Sequence, residues 1–123
     1  MFAYKTARVF VVPALRQRPL NQGHMLVLPT SHVARLSELE PLLLQELYTV
    51  AGRVSIAVRQ AFGATGATLF QNDDAPDQIL SHVHIHVIPR RTGDQFKLPD
   101  SNKLEMSRKE LEEQASVLRQ TLA

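Results

Sequence analysis

The chain of 123 residues reads as an α+β domain: an antiparallel β-sheet with one long helix packed on it and a second helix at the C-terminus. Three observations predict this. Residues 82–87 alternate histidine with branched apolar side chains, the two-residue period of a strand. Residues 42–62 repeat apolar side chains at spacings of three and four, the period of a helix covered along one side. The segments then fall in the order strand, strand, helix, strand, strand, helix, which is that of an α+β fold.

The elements follow in order. Arg8 to Leu15 is rich in β-branched residues and reads as the first strand. Pro19 to Gly23 is a turn. His24 to Pro29 is nearly continuous in apolar residues, the mark of a central, covered strand. A loop spans Thr30 to Leu39. Pro41 suits the first position of a helix with Glu40 as its cap, and Leu43, Leu44, Leu47, Val50, Ala51, Val54, Ala57, Val58 and Ala61 line one side of it as far as the stop at Gly63. Ala67 to Phe70 is a third strand, Gln71 to Gln78 a polar turn and Ser81 to Ile88 a fourth strand. Thr92 to Met106 has no period and is expected to be a mobile loop. Ser107-Arg108-Lys109-Glu110 is a capping box, and Leu111, Ala115, Leu118 and Leu122 make the helix behind it one-sided.

Composition narrows the functional classes. Hydrophobic residues make up 44% and charged residues 21%, which supports an ordered core; the length suits a single domain over residues 1–123. The formal charge of +2 is compatible with an anionic ligand. With no like-charge run beyond Arg90-Arg91, it gives no ground for a nucleic-acid partner. The absence of cysteine rules out disulfides and thiolate metal sites. The apolar run Val9 to Pro13 is too short for a signal-peptide core or a membrane span, so the expectation is a cytoplasmic protein with no membrane partner.

His82-Val83-His84-Ile85-His86 carries the chemistry. On a strand its three imidazoles share one face, about 6.6 Å apart, while Val83, Ile85 and Val87 share the other. A neutral imidazole nitrogen can attack phosphorus and form a covalent intermediate, provided the other ring nitrogen holds the proton against a carbonyl or a neighbour. A second histidine can bind phosphate oxygens or protonate the leaving group. On spacing alone His84, flanked on both sides, is the best candidate nucleophile. A metal site and a plain solvated face are the alternatives. Against the first, the outer two rings lie roughly 13 Å apart, too far for all three to reach one zinc at about 2.1 Å.

With these residues in view, the chain resembles the histidine triad superfamily of nucleotide-binding hydrolases and transferases. The superfamily's mark is His-φ-His-φ-His-φ-φ with φ apolar, met at every position by His82-Val83-His84-Ile85-His86-Val87-Ile88. Pro89-Arg90 also fits. Gly23-His24-Met25-Leu26-Val27-Leu28-Pro29 looks like the family's Gly-His strand and Ser31-His32-Val33 like its continuation, so the resemblance covers most of the chain. It implies a HIT-like fold, a homodimer whose two sheets join into one, and nucleotidyl transfer through a nucleotidyl-histidine intermediate. Eleven residues before the first triad histidine, the fragile-histidine-triad branch carries Gln, here Gln71. Three before it, the phosphoramidase branch carries Ser, here Ile79. Both favour the branch that hydrolyses dinucleoside polyphosphates, shared with bacterial HIT-like hydrolases. A nucleoside phosphoramidase and a nucleotide-binding signalling module with incidental hydrolysis are the alternatives.

The resemblance also implies roles. His84 would be the nucleophile, His82 and His86 would bind phosphate oxygens, and His24 would complete their network. Gln71 would contact the bridging oxygen and the leaving group, and Gln78 would support the phosphate turn, with Asn72 beside them. His32 is expected at the surface without a chemical role. No metal site is implied in the protein; Mg2+ would arrive with the substrate phosphates. Where the family carries Asp or Asn for the ribose hydroxyls, this chain has Arg16, or Gln17 on a one-residue slip, and Arg has no acceptor to offer. Asp77 stands where the family has Gly before Gln78. Leu26, Leu28, Val9, Phe10 and Phe70 are candidates for an apolar base pocket, a set that alternation must divide between pocket and core.

Overall fold

The computed structural model describes residues 1–76, 81–98 and 102–123. Its strands are β1 (Tyr4–Lys5), β2 (Val9–Pro13), β3 (Arg16–Gln17), β4 (Met25–Pro29), β5 (Gly66–Phe70), β6 (Ile85–Arg90) and β7 (Leu104–Glu105). Its helices are α1 (Pro41–Phe62) and α2 (Arg108–Leu122), with a 3-10 turn at Leu36–Glu38. Five strands form one antiparallel sheet in the order β1-β2-β4-β6-β5, and β3 pairs with β7 in a separate ribbon.

Alternation sets the two faces of the sheet. Val9 and Val11 of β2, Met25 and Val27 of β4, and Val83, Ile85 and Val87 around β6 turn inward. They pack against Leu47, Val50, Ala51, Val54 and Val58 of α1 and Ala115 and Leu118 of α2. Burying a Val or Leu side chain of this kind stabilises by about 1.5–3 kcal/mol, so this face commits the strand register. The opposite face carries the site only in part: Leu28 of β4 and Ile88 of β6 are buried there as well, whereas Leu26 on that face is partly exposed. Among the described residues no helix is long and apolar enough to cross a membrane.

The helix ends follow their local chemistry. Ser107 Oγ accepts from Glu110 N–H at 3.1 Å, and Glu110 Oε1 accepts from Ser107 N–H at 3.0 Å, closing the predicted capping box. Gly63 ends α1 in the left-handed region at φ 64°. Glu40 occupies the N-cap position of α1, but its carboxylate pairs with Arg8 at 3.0 Å and caps no backbone N–H. Gly23 is required by space as well as by its φ of 104°, because a Cβ there would lie 2.5 Å from the ring of Phe62.

Two expectations need correction, and one edge strand was not expected. The histidine strand begins at Ile85, not Ser81, and runs on to Arg90. Val83 N–H bonds Val33 O at 2.7 Å, so residues before Ile85 leave the β4 ladder for the loop that follows it. The stretch Thr92 to Met106 contains a strand, β7, which pairs Leu104 and Glu105 with Gln17 and Arg16. Tyr4–Lys5 adds an edge to β2. Two-residue strands have no period to detect.

Candidate active site

Residues directly opposed on antiparallel strands point to the same face. Leu26 and Phe70 both oppose His86, so these three share the open side of the sheet. Val83, Ile85 and Val87 lie in the core, which turns His82 and His84 to the open side as well.

All five histidines of the chain form one continuous array. His24 Nε2 and His86 Nδ1 lie 2.9 Å apart. The His86 and His84 rings are 4.8 Å apart and tilted by 62°. His84 Nδ1 is 2.7 Å from the carbonyl of His82, and the His82 ring is 5.0 Å from that of His32. His32 is exposed, as expected, yet touches the triad, and no strand pattern could have placed it there. The array is bent: because His82 precedes the ladder, its ring turns toward the loop after β4, where Nε2 donates to the carbonyls of Pro29 and Ser31, both at 3.0 Å.

These contacts fix the protons. A carbonyl only accepts, so His84 Nδ1 carries the hydrogen and Nε2 keeps the lone pair. That Nε2 bonds to nothing among the described residues, and His84 as a whole residue is 6% exposed. It is an imidazole with its base nitrogen open and its other nitrogen clamped.

His24 and His86 are held neutral. Burial first, then the charges of His86, Arg18, Lys103 and His84, push His24 well below the ordinary imidazole range. Burial, reinforced by His84, Lys103 and Arg18, lowers His86 to about 3. His24 Nδ1 is buried and has no partner among the described residues. An orphaned buried N–H is the less tolerable of the two possibilities, so His24 Nδ1 holds a lone pair and Nε2–H donates to His86 Nδ1. His86 is then left with Nε2–H as a neutral donor.

Two further residues of the site, Arg18 and Lys103, are not marked by the sequence. Arg18 is buried over the ring of Phe96, 4.7 Å from its centroid. Lys103 follows from the β3–β7 register, which one step beyond its last pair sets 103 against 18. Neither segment carries a motif. Pairing of two short, unpatterned stretches brings both positive charges to the histidines.

The remaining candidates divide. Gln71 directly follows β5 and is half-buried, but its amide donates to Asn72 O at 3.0 Å and Asp73 Oδ1 at 3.5 Å, within its own turn. That turn is pinned by Asp73 Oδ1 accepting from Leu36 N–H and by the Arg35–Asp74 pair, each at 2.7 Å. Asn72 is half-buried beside it. Arg16 is exposed on β3. Gln17 is a correction: it is fully buried, its Nε2 donating to Ala14 O and Gln114 Oε1 and its Oε1 accepting from Gly23 N–H and Gln114 Nε2. With every bonding position filled, it buttresses the strand entry beside His24 and is not open to a ribose. Asp77, Gln78 and Ile79 lie outside the described residues. Phe70, one of the apolar candidates, stacks on His86 with centroids 4.2 Å apart and planes 10° from parallel. Among the described residues no group of three or more His, Cys, Asp or Glu is arranged to hold a metal ion.

A family model described as the HIT domain matches residues 2–93. A bis(5'-nucleosyl)-tetraphosphatase (asymmetrical) of Schizosaccharomyces pombe is 35% identical over 78 residues, 63% of this chain and 43% of that protein. The chain thus spans less than half the length of that relative. A bis(5'-adenosyl)-triphosphatase of Dictyostelium discoideum is 34% identical over 110 residues, 83% of this chain and 73% of that one. In structure the chain is similar to a Hit-like protein involved in cell-cycle regulation from Bartonella henselae, with a TM-score of 0.83 and 28% identity over 98% of this chain and 85% of that one.

Proposed function

Starting from the fact that the chain belongs to the HIT domain family, we propose that it is a nucleotidyl hydrolase cleaving dinucleoside polyphosphates through a nucleotidyl-histidine intermediate on His84. The observation that carries this reading is the tautomer of His84, with Nδ1–H held by the His82 carbonyl and Nε2 open. The relatives named as a tetraphosphatase and a triphosphatase support the substrate class.

In the first step the Nε2 lone pair attacks the α-phosphorus. A phosphorus–nitrogen bond forms, and the bond from that phosphorus to its bridging oxygen breaks, releasing the remaining nucleotide. The positive charge that develops on the ring is stabilised where Nδ1–H meets the His82 carbonyl. His86 Nε2–H, neutral and oriented by His24, donates to a phosphate oxygen. In the second step water attacks the same phosphorus, the phosphorus–nitrogen bond breaks, and a mononucleotide leaves. One water is consumed and His84 is restored. Mg2+ carried by the substrate phosphates would reduce their charge. Arg18 and Lys103 add a positive field beside His24 and His86 that favours a polyanion.

The reading extends to a cytoplasmic homodimer joined sheet to sheet. In its support, β5 is an outer strand paired only with β6 among the described residues, and such an edge is a template for strand pairing. Tyr48 and Ile56 of α1 and Leu69 of β5 are exposed apolar groups.

The test is a substrate panel of diadenosine triphosphate, diadenosine tetraphosphate and an adenosine phosphoramidate, with mass spectrometry of rapidly quenched protein. Turnover of the polyphosphates with one adenylyl group on His84 is expected. Preference for the phosphoramidate, or label on another residue, would overturn the reading.

A further inference from the structure

The His86 ring is restrained on three sides. Its Nδ1 takes the His24 hydrogen bond at 2.9 Å, its edge meets His84 at 4.8 Å, and its face lies against Phe70 at 4.2 Å and 10°. The hydrogen bond fixes the ring against a flip, since a flip would strand the His24 donor in a buried site. It does little to hold the plane of the ring, because a hydrogen bond tolerates rocking about its own axis. A flat partner parallel to the ring does hold the plane, and Phe70 is the only ring stacked parallel to His86 among the described residues. The placement is built into the sheet: Phe70 is the last residue of β5 and directly opposes His86 in the ladder.

We propose that Phe70 is a positioning residue for the reaction: by stacking on His86 it sets the plane in which Nε2–H is offered to the phosphate, and it keeps water off that face of the ring. The inference rests on the function proposed above, since it assigns His86 a donor role. It treats Phe70 as part of the machinery and not as a wall of the base pocket. Desolvation is the first cause of the lowered His86 value, so uncovering the ring shifts its titration upward.

Phe70→Leu keeps an apolar side chain on the strand but removes the flat face; Phe70→Tyr restores it. With diadenosine triphosphate, kcat of Phe70→Leu is expected to fall about tenfold or more with KM within about threefold, and Phe70→Tyr to recover most of it, as misorientation predicts. By NMR, the His86 ring resonances should lose their ring-current shift in Phe70→Leu, and the ring should titrate at higher pH. Thermal unfolding of both variants identifies a loss due to stability alone. A Phe70→Leu protein with the kcat of the parent, or with an unmoved His86 titration, would sink the inference, as would equal losses in the Leu and Tyr variants. If the parent protein cleaves none of the polyphosphates, the proposed function fails, and the His86 titration alone then decides whether Phe70 sets the state of that ring.

Discussion

The Nδ1 of His84 sits 2.7 Å from the carbonyl oxygen of His82, two residues earlier on the same chain. The backbone that supplies the triad's first imidazole therefore also fixes the proton of the second. Replacing His84 by Asn removes the attacking lone pair and keeps a small polar side chain. Turnover of diadenosine triphosphate is expected to fall at least about 10³-fold, while nucleotide affinity, measured calorimetrically, stays within a few fold. Substantial residual turnover would place the nucleophile elsewhere.

His24 touches His86 and is not needed as an attacking group. His24→Ala frees the His86 ring to rotate and expose either nitrogen. An order-of-magnitude loss of about 10–100-fold in kcat is expected, well short of the His84 effect. Steady-state kinetics of the two variants side by side test the ranking.

Low pH should destabilise the fold. The folded-state values of both His24 and His86 lie below 6.5. Between about pH 6.5 and 3 the unfolded chain therefore binds protons that the folded chain refuses. Stability is full above pH 6.5 and declines as pH falls through that window. Asp94, held below the usual carboxylate range chiefly by its hydrogen bonds from Arg90, adds to the loss only at the acid end. Melting temperatures from pH 8 to 4 should fall progressively, and His24→Leu/His86→Leu should flatten the slope.

Gln17 distinguishes a buttress from a ligand. Gln17→Ala strands the Gly23 N–H and the Gln114 amide in a buried place, and should destabilise by about 1–3 kcal/mol. KM for the nucleotide should stay within about threefold, as for a group with no ligand contact. A large rise in KM without loss of melting temperature would restore it as a ribose contact.

Gly23→Ala joins a disfavoured φ of 104° to a Cβ 2.5 Å from Phe62. Strain at the backbone alone is worth about 1–3 kcal/mol, and the Phe62 ring, at the end of α1, must shift as well. Chemical denaturation should show a clear loss of stability. Because residue 24 follows directly, activity at a temperature where the variant is folded should also drop.

Legibility in the sequence tracked the length of the pattern. The 22 residues of α1 repeat often enough to betray their buried face, and the capping box of α2 names its own first turn. The sheet strands β2, β4 and β5 lie within a few residues of their expected bounds because apolar side chains cluster in each. The triad was legible because the alternation outlasts the ladder: Val83 stays buried although it precedes β6. What escaped was set by partners distant in sequence. β3 and β7 exist only through each other, and through them Arg18 and Lys103 reach the histidines. Gln17 reads as available because the side chain that pairs with it, Gln114, is 97 residues away. The face of β5 that holds Phe70 could not be told from the core face until the register with β6 was known.

Gathering every imidazole of the chain into a single array has a practical consequence. An acylating reagent that favours imidazoles, such as diethyl pyrocarbonate, meets no histidine elsewhere in the molecule. Its kinetics should resolve an early event at exposed His32, later events at the less exposed His82 and His84, and protection at buried His24. Nucleotide should shield the later events, giving a readout of occupancy that requires no turnover.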